Sequence, residues 1–170
     1  GIPDLMAQSE WGRIRISPRT PQELTETSAR YGLQFEPGTK IRYDNAAYNL
    51  AAEIVAKASG RPFETYLNEA VLKPLGLKDT GSDARADAQG LAMGYANFPG
   101  GLAAQPIANV SVVFGAGALY STLDDMLAWN QALHKGRVLS HASYAQMIAD
   151  HAPADTPKER GRAHRAYGYG

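Results

Sequence analysis

Between Ala46 and Ala58 the chain carries only three polar residues, Asn49, Glu53 and Lys57, spaced four apart. A helix with so narrow a polar stripe is predicted to be buried on most sides. Glu53 and Lys57 are placed for a favourable i,i+4 pair, and Gly60 supplies the stop. Upstream, "TPQEL" is a start signal: Thr20 as cap, Pro21 as first helical residue, Glu23 closing a capping box. That helix is predicted to reach about Tyr31 and end at Gly32. Pro37-Gly38 marks a turn, and Ile41 to Tyr43 a short extended piece leading into the central helix.

From Pro62, the residues Phe63, Tyr66, Leu67, Ala70 and Val71 fall on one helical stripe that Pro74 and Gly76 close. Residues 77–115 lose any sustained period and are rich in Gly, Pro, Asp and Asn. A stretch this long carries small strands or a function, and "ANVSVVF" at 108–114 is one strand candidate. A further helix opens at Ser121 or Thr122, with Asp124 or Asp125 in the box position. Its inner face is predicted to hold Leu123, Met126, Leu127 and Leu133, and Gly136 ends it. A short helix over 142–149 follows, and the charged stretch 151–165 reads as a mobile loop.

The 170 residues are enough for one domain with a real core. The 17 basic and 17 acidic residues cancel, which argues against nucleic-acid or membrane-surface partners. No apolar run approaches a membrane span. With no Cys, disulfide frameworks and thiolate metal sites are excluded. His134, His141, His151 and His164 lack helical zinc spacing and read as surface or capping residues. "FPGG" and "FGAGA" lack the strand–helix context of a dinucleotide site. Asp124-Asp125 is explained by the helix dipole. Lys158, Arg160, Arg162 and Arg165 are offset by Asp155 and Glu159, as in a solvated loop.

Tyr43-Asp44-Asn45, at the entrance of the central helix, is open to two readings. In one, Tyr43 is an aromatic plug and Asp44 or Asn45 a cap. In the other, Tyr43 and Asn45 are functional side chains mounted on a rigid support.

Four ordered stretches bear on that choice: "GIPDL" at the start, "FEPGTKIRYDNAAYNLAAEIVAKASGRPFETYLNEAVLKPLGLKDT" (35–80), "GAGALYSTLDDMLAWNQAL" (115–133) and the closing "YGYG". Together they resemble the serine β-lactamase and penicillin-binding-protein superfamily, in its class C β-lactamase, D,D-peptidase and esterase branch. That family uses Ser-x-x-Lys for the acylated serine, Tyr-x-Asn (or Ser-x-Asn), and Lys-Thr-Gly or His-x-Gly on a strand. Here the second motif is Tyr43 and Asn45. No Ser is followed by Lys three positions on, and "HKG" at 134–136 is read as a helix terminus rather than the third motif.

The resemblance implies a mainly α chain: the helical domain of a β-lactamase-like (α+β) fold, spanning 1–170, with short strands in long loops near 81–107. It implies that the chain is a fragment whose other motifs lie before Gly1 and after Gly170, and is inactive alone. Tyr43 would be the general base or part of a proton relay, and Asn45 would orient the substrate amide. A β-lactam, D-amino peptide or ester would be hydrolysed through an acyl-enzyme, with no metal or organic cofactor. Asp44 departs from the commoner Ser or Ala, and its carboxylate opposes a phenolate beside it unless it turns away as a cap.

The expected partners are the substrate and the α/β domain of the same protein, with self-association through the face that domain would cover. A periplasmic or secreted location is favoured over a cytoplasmic one. The alternative is a non-catalytic module that reuses the same domain for binding.

Overall fold

A computed structural model describes residues 1–82, 90–104, 109–151 and 168–169. The helices are α1 (Trp11–Ile14), α2 (Pro21–Ala29), α3 (Asn45–Ser59), α4 (Phe63–Leu67), α5 (Lys73–Leu75), α6 (Phe114–Gly117), α7 (Leu123–His134) and α8 (His141–Ile148). Short 3-10 turns at Leu5–Ala7 and Val110–Val113 and a π turn at Asn68–Leu72 complete the helical part. β1 (Gly81–Ser82) pairs antiparallel with β4 (Leu119–Tyr120), and β2 (Tyr95–Phe98) with β3 (Gly101–Ala104). The chain is thus mainly α with short strands in its long loops, as the sequence implied. The expected loop at 151–165, with its basic cluster, lies outside the described residues except for His151. At the end, Tyr169 N–H donates to Met147 O at 3.0 Å, and residues 168–169 pair with no strand among the described residues.

The start signals hold at α2. Thr20 accepts from Glu23 N–H while the Glu23 carboxylate accepts from Thr20 N–H at 2.8 Å. The Thr20 N–H, and after it the Thr20 hydroxyl, both donating to that carboxylate, hold Glu23 below the usual carboxylate range. The short α1 and the 3-10 turn at Leu5–Ala7 had no legible periodicity, being under two turns each. The core joins them to the rest: Leu5, Ile14, Leu24, Ala46, Ala52, Val112 and Phe114 pack together. Phe63 meets Phe114 edge to face, with centroids 6.2 Å apart.

α3 touches α2, α4, α6 and both 3-10 turns, so it is central. Its burial is narrower than the pattern predicted. Ala46, Asn49 and Ala52 are buried, while Tyr48, Ala51, Ile54 and Ala58 are exposed. The supposed polar stripe is corrected too. Asn49 is 2% exposed. Its Nδ2 donates to Val112 O at 2.9 Å, and its Oδ1 accepts from Gly115 N–H at 3.0 Å. Glu53 accepts from Thr25 Oγ1 at 2.6 Å, and the expected pair with Lys57 is not among the ion pairs of the described residues. Gly115 permits the close approach of α6: a Cβ there would lie 2.5 Å from Tyr48 O.

The same carboxamide explains why 109–114 is no strand; Ala108 of that candidate lies outside the described residues. Asn109 caps a 3-10 turn by accepting from Ser111 N–H at 3.1 Å. Asn49 then satisfies Val112 O and Gly115 N–H, so those groups need no neighbouring strand. The stripe that began at Phe63 also shifts. Phe63, Tyr66 and Leu67 are half-buried, but the π turn moves the buried face on to Val71 and Leu72 and leaves Ala70 exposed. Lys73 N–H reaches back five residues to Asn68 O. Pro74 next in line has no N–H to continue the ladder.

The inner face predicted for α7 is contradicted. Leu123, Met126 and Leu127 are exposed, Leu133 is half-buried, and the buried residues are Asp125 and Ala132. Thr122 is the cap. Asp125 accepts from Asp79 N–H and from Thr80 Oγ1, both at 2.8 Å, and Thr80 lies 2.7 Å from Ser121 Oγ. These bonds turn the acidic side of α7 inward and bring the Thr80 end of one motif onto the Asp125 end of another. α7 stops where Gly136 takes φ +69°, so "HKG" is a helix terminus.

Asp44 is the α3 cap. It is buried, and its Oδ1 accepts from Ala46 N–H at 2.8 Å and Ala47 N–H at 3.3 Å. Burial pushes its carboxyl above the ordinary 3.8, outweighing the two amide bonds that pull it down; Asp4 nearby adds to the rise and Arg42 opposes it. The folded chain therefore keeps this proton to a higher pH than the unfolded chain. Stability is predicted to fall as pH rises from the ordinary carboxylate value through the raised one, and to level off above it. Asp44→Asn, which keeps a capping oxygen, should remove that part of the slope, while Asp44→Ala should cost about 1 kcal/mol. Denaturant midpoints across the acid range measure both; identical slopes for the unsubstituted chain and the Asp44→Asn variant would refute the assignment. Asn49→Ala is expected to lower unfolding free energy by about 3 kcal/mol, since it strands one buried and one half-buried backbone group. A loss under roughly 1 kcal/mol in urea denaturation would contradict that.

Candidate active site

The entrance of α3 is built by backbone geometry. Asp44 is extended, at φ −154° and ψ 116°. Successive side chains of an extended segment point to opposite sides. Asp44 turns inward to the first amides of α3, and Tyr43 and Asn45 share the other side. The carboxylate that threatened the Tyr43 phenol is thereby committed to the helix cap.

Tyr43 is 69% exposed, so it is no aromatic plug. Its Oη donates to Asn45 Oδ1 at 3.4 Å, a long bond. Asn45 is the first residue of α3 and half-buried. Its Nδ2 faces Met6 Sδ at 3.2 Å. The carboxamide thus holds its oxygen towards the phenol and its NH₂ towards a thioether, a weak acceptor. A ligand carbonyl that displaced the sulfur would gain a far better donor–acceptor pair than the one it breaks.

Met6 had no signal in the sequence. Long-range pairing brings it here. Gly1 O accepts from Gln34 N–H at 2.8 Å, and Ser28 Oγ donates to Pro3 O at 2.9 Å. Leu5 enters the core, and Asp4 caps the 3-10 turn through Met6 N–H at 3.2 Å. The first six residues therefore lie across the chain beside the α3 entrance, and Met6 points onto Asn45.

The electrostatic setting is spare. Arg42 binds Gln34 Oε1 through its guanidinium. Among the described residues no lysine or arginine nitrogen hydrogen-bonds the Tyr43 phenol. Nor do three His, Cys, Asp or Glu residues among them converge to hold a metal ion. His134, in the look-alike third motif, bonds Tyr144 Oη on α8.

Comparison with known proteins supplies the context for this pair. The Beta-lactamase family model matches residues 2–170. PbpX of Bacillus subtilis (strain 168), named as a penicillin-binding protein, is 32% identical over 131 residues, 76% of this chain and 33% of that protein. The D-alanyl-D-alanine-carboxypeptidase/endopeptidase AmpH of Escherichia coli (strain K12) is 34% identical over 99 residues, 58% of this chain and 24% of that one. This chain therefore spans a third or less of these curated relatives.

Among solved structures, D-amino acid amidase from Ochrobactrum anthropi SV3, complexed with L-phenylalanine amide, superposes with TM-score 0.74 at 31% identity. That match covers 87% of this chain and 44% of the amidase. The fold also matches the penicillin binding protein from Bacillus halodurans, with TM-score 0.78 at 23% identity over 99% of this chain and 51% of that one. The match along nearly the whole length places the chain in the Beta-lactamase family.

Proposed function

We propose that this chain is the helical part of a serine acyl hydrolase, and that Tyr43 and Asn45 form its contribution to the active site. The observation that carries the reading is the pair itself. Both side chains lie on the outer side of a segment whose middle residue is locked inward as the cap of a 15-residue helix. A base and a binding donor held that way are supported for chemistry at a neighbouring group.

The chemistry follows from what each group can do. A serine from elsewhere in the polypeptide attacks an amide or ester carbonyl; the C–O bond to serine forms and the bond to the leaving amine or alcohol breaks. Tyr43 takes the serine proton, directly or by relay, and passes it to the leaving group. A tyrosine phenol ionises near ~10, so this step requires a cation beside it. No Ser in these 170 residues precedes a Lys by three, so the Ser-x-x-Lys lysine would come with the serine.

Asn45 Nδ2 donates to the acyl-side carbonyl of the substrate, taking the place now held by Met6 sulfur, and fixes the angle of attack. Water then releases the acyl group. The substrate is a β-lactam, a D-amino peptide or amide, or an ester. The carboxypeptidase and amidase relatives support the D-amino acyl classes. The product would be made in the periplasm or outside the cell.

The apolar side of α7, with Leu123 89% exposed, is assigned to the sheet domain of the same polypeptide. The 170-residue chain alone would self-associate through it.

In the full gene product, Tyr43→Phe is expected to lower kcat/KM on a chromogenic cephalosporin or p-nitrophenyl ester by roughly 10²–10⁴. Asn45→Ala should cost about 10-fold. The isolated chain should turn over neither substrate above buffer. Turnover by the isolated chain that Tyr43→Phe abolishes would sink the claim that the nucleophile lies elsewhere. Unchanged kcat/KM in the Tyr43→Phe full product would remove Tyr43 from the chemistry, and no turnover by the unsubstituted full product would favour a binding module.

A further inference from the structure

The contact between Met6 and Asn45 joins an oxidisable atom to a binding donor. Met6 is 39% exposed, so the residue is open to small oxidants. That sulfur is 3.2 Å from Asn45 Nδ2, and the Asn45 oxygen is already taken by Tyr43. The backbone around Met6 is held before it by the buried Leu5 and the Asp4 cap on Met6 N–H, and after it by Ala7 N–H donating to Asp4 O at 3.2 Å and Gln8 N–H to Leu5 O at 3.1 Å. The side chain is therefore aimed at Asn45 by its anchored segment.

We propose that Met6 is an oxidative modification site whose sulfoxide occupies the Asn45 amide. The reaction needs a hydroperoxide. The sulfur lone pair attacks the distal peroxide oxygen, an S–O bond forms as the O–O bond breaks, and hydrogen peroxide leaves as water. Sulfur loses two electrons and peroxide gains them. A thioether is a weak acceptor, while a sulfoxide oxygen is polar and strongly accepting. One sulfoxide epimer places that oxygen towards the NH₂ now facing the sulfur. A contact that a substrate carbonyl displaces easily becomes a full hydrogen bond that it must break. Sulfoxide reductase reverses the change. The inhibitory consequence rests on the substrate role proposed for Asn45; the modification and the new hydrogen bond do not.

Two measurements separate these parts. In the first, the 170-residue chain is treated with hydrogen peroxide and followed by mass spectrometry and by the side-chain amide resonances of Asn45. Met93 and Met126 are 57% and 53% exposed and Met147 is half-buried; all three are replaced by Leu, so that their oxidation cannot confuse the readout. The expected result is Met6 sulfoxide with a downfield shift of one Asn45 amide proton, reversed by methionine sulfoxide reductase and absent in Met6→Leu. Formation of the sulfoxide without any movement of the Asn45 amide overturns the proposal. So does an intact Met6 under conditions that oxidise Met93 and Met126 in the unsubstituted chain.

The second measurement follows kcat/KM of the full gene product before and after peroxide. A reversible loss of about 10-fold, missing in Met6→Leu, is expected, as one added hydrogen bond of ordinary strength implies. A shifted amide with unchanged turnover would remove Asn45 from substrate binding and leave the sulfoxide contact standing.

Discussion

Everything at the α3 entrance depends on one buried carboxamide. Asn49 donates to Val112 O and accepts from Gly115 N–H, groups 63 and 66 positions away in the chain. The first bond is buried and the second partly so, where an unmade partner is expensive. They let a 3-10 turn and a one-turn helix sit against α3 without the strand partners their backbone would otherwise require. Gly115 lets that approach close to contact with Tyr48 O. With α6 and the 110–113 turn locked on one side and α2 on another, α3 has one orientation. Its first turn, with Asp44, Asn45 and the adjoining Tyr43, is carried to one place.

Asp125 acts by the same logic on the far side of the molecule. A carboxylate in the first turn of α7 is favoured by the helix dipole alone. Here it also accepts from Asp79 N–H and Thr80 Oγ1, which ties the end of the α4–α5 segment to α7 beside the β1–β4 pair. In both helices a polar side chain, not an apolar stripe, decides which face turns inward. Apolar burial supplies most of the driving force for folding but is nearly indifferent to small rotations of a helix. A buried hydrogen-bonding group is intolerant of them. This is why the exposed apolar side of α7 coexists with a buried Asp125.

Membership of the Beta-lactamase family and the geometry of the entrance bear on each other. In the Tyr43-Asp44-Asn45 stretch the middle residue has its own physical task. Asp44 caps α3 because an extended residue between two outward side chains must face inward, where the first α3 amides wait. An acidic residue in that place keeps clear of the phenol by geometry.

The sequence alone determined a good deal here. Propensity, capping and stop signals act over a few residues, so α2, α3, α7 and α8 were legible, although α2 stops at Ala29 and not near Tyr31, as were the Thr20 box, the left-handed Gly60 and the helix terminus in "HKG". The mainly α class and the Tyr43–Asn45 pair were legible through ordered motifs. Tertiary structure decided what local rules cannot encode. Asn49 looked like a solvent stripe and became the most constrained side chain of α3. Val110–Val113 had β-branched residues suited to a strand and became a 3-10 turn, because long-range partners satisfied its backbone. The π turn before Pro74 moved a buried face by one residue. Met6 reached Asn45 only because the first residues pair with 28 and 34. Apart from the π turn, which is local to 68–74, each of these outcomes rests on a contact between distant positions, whose energy exists only once the chain has closed.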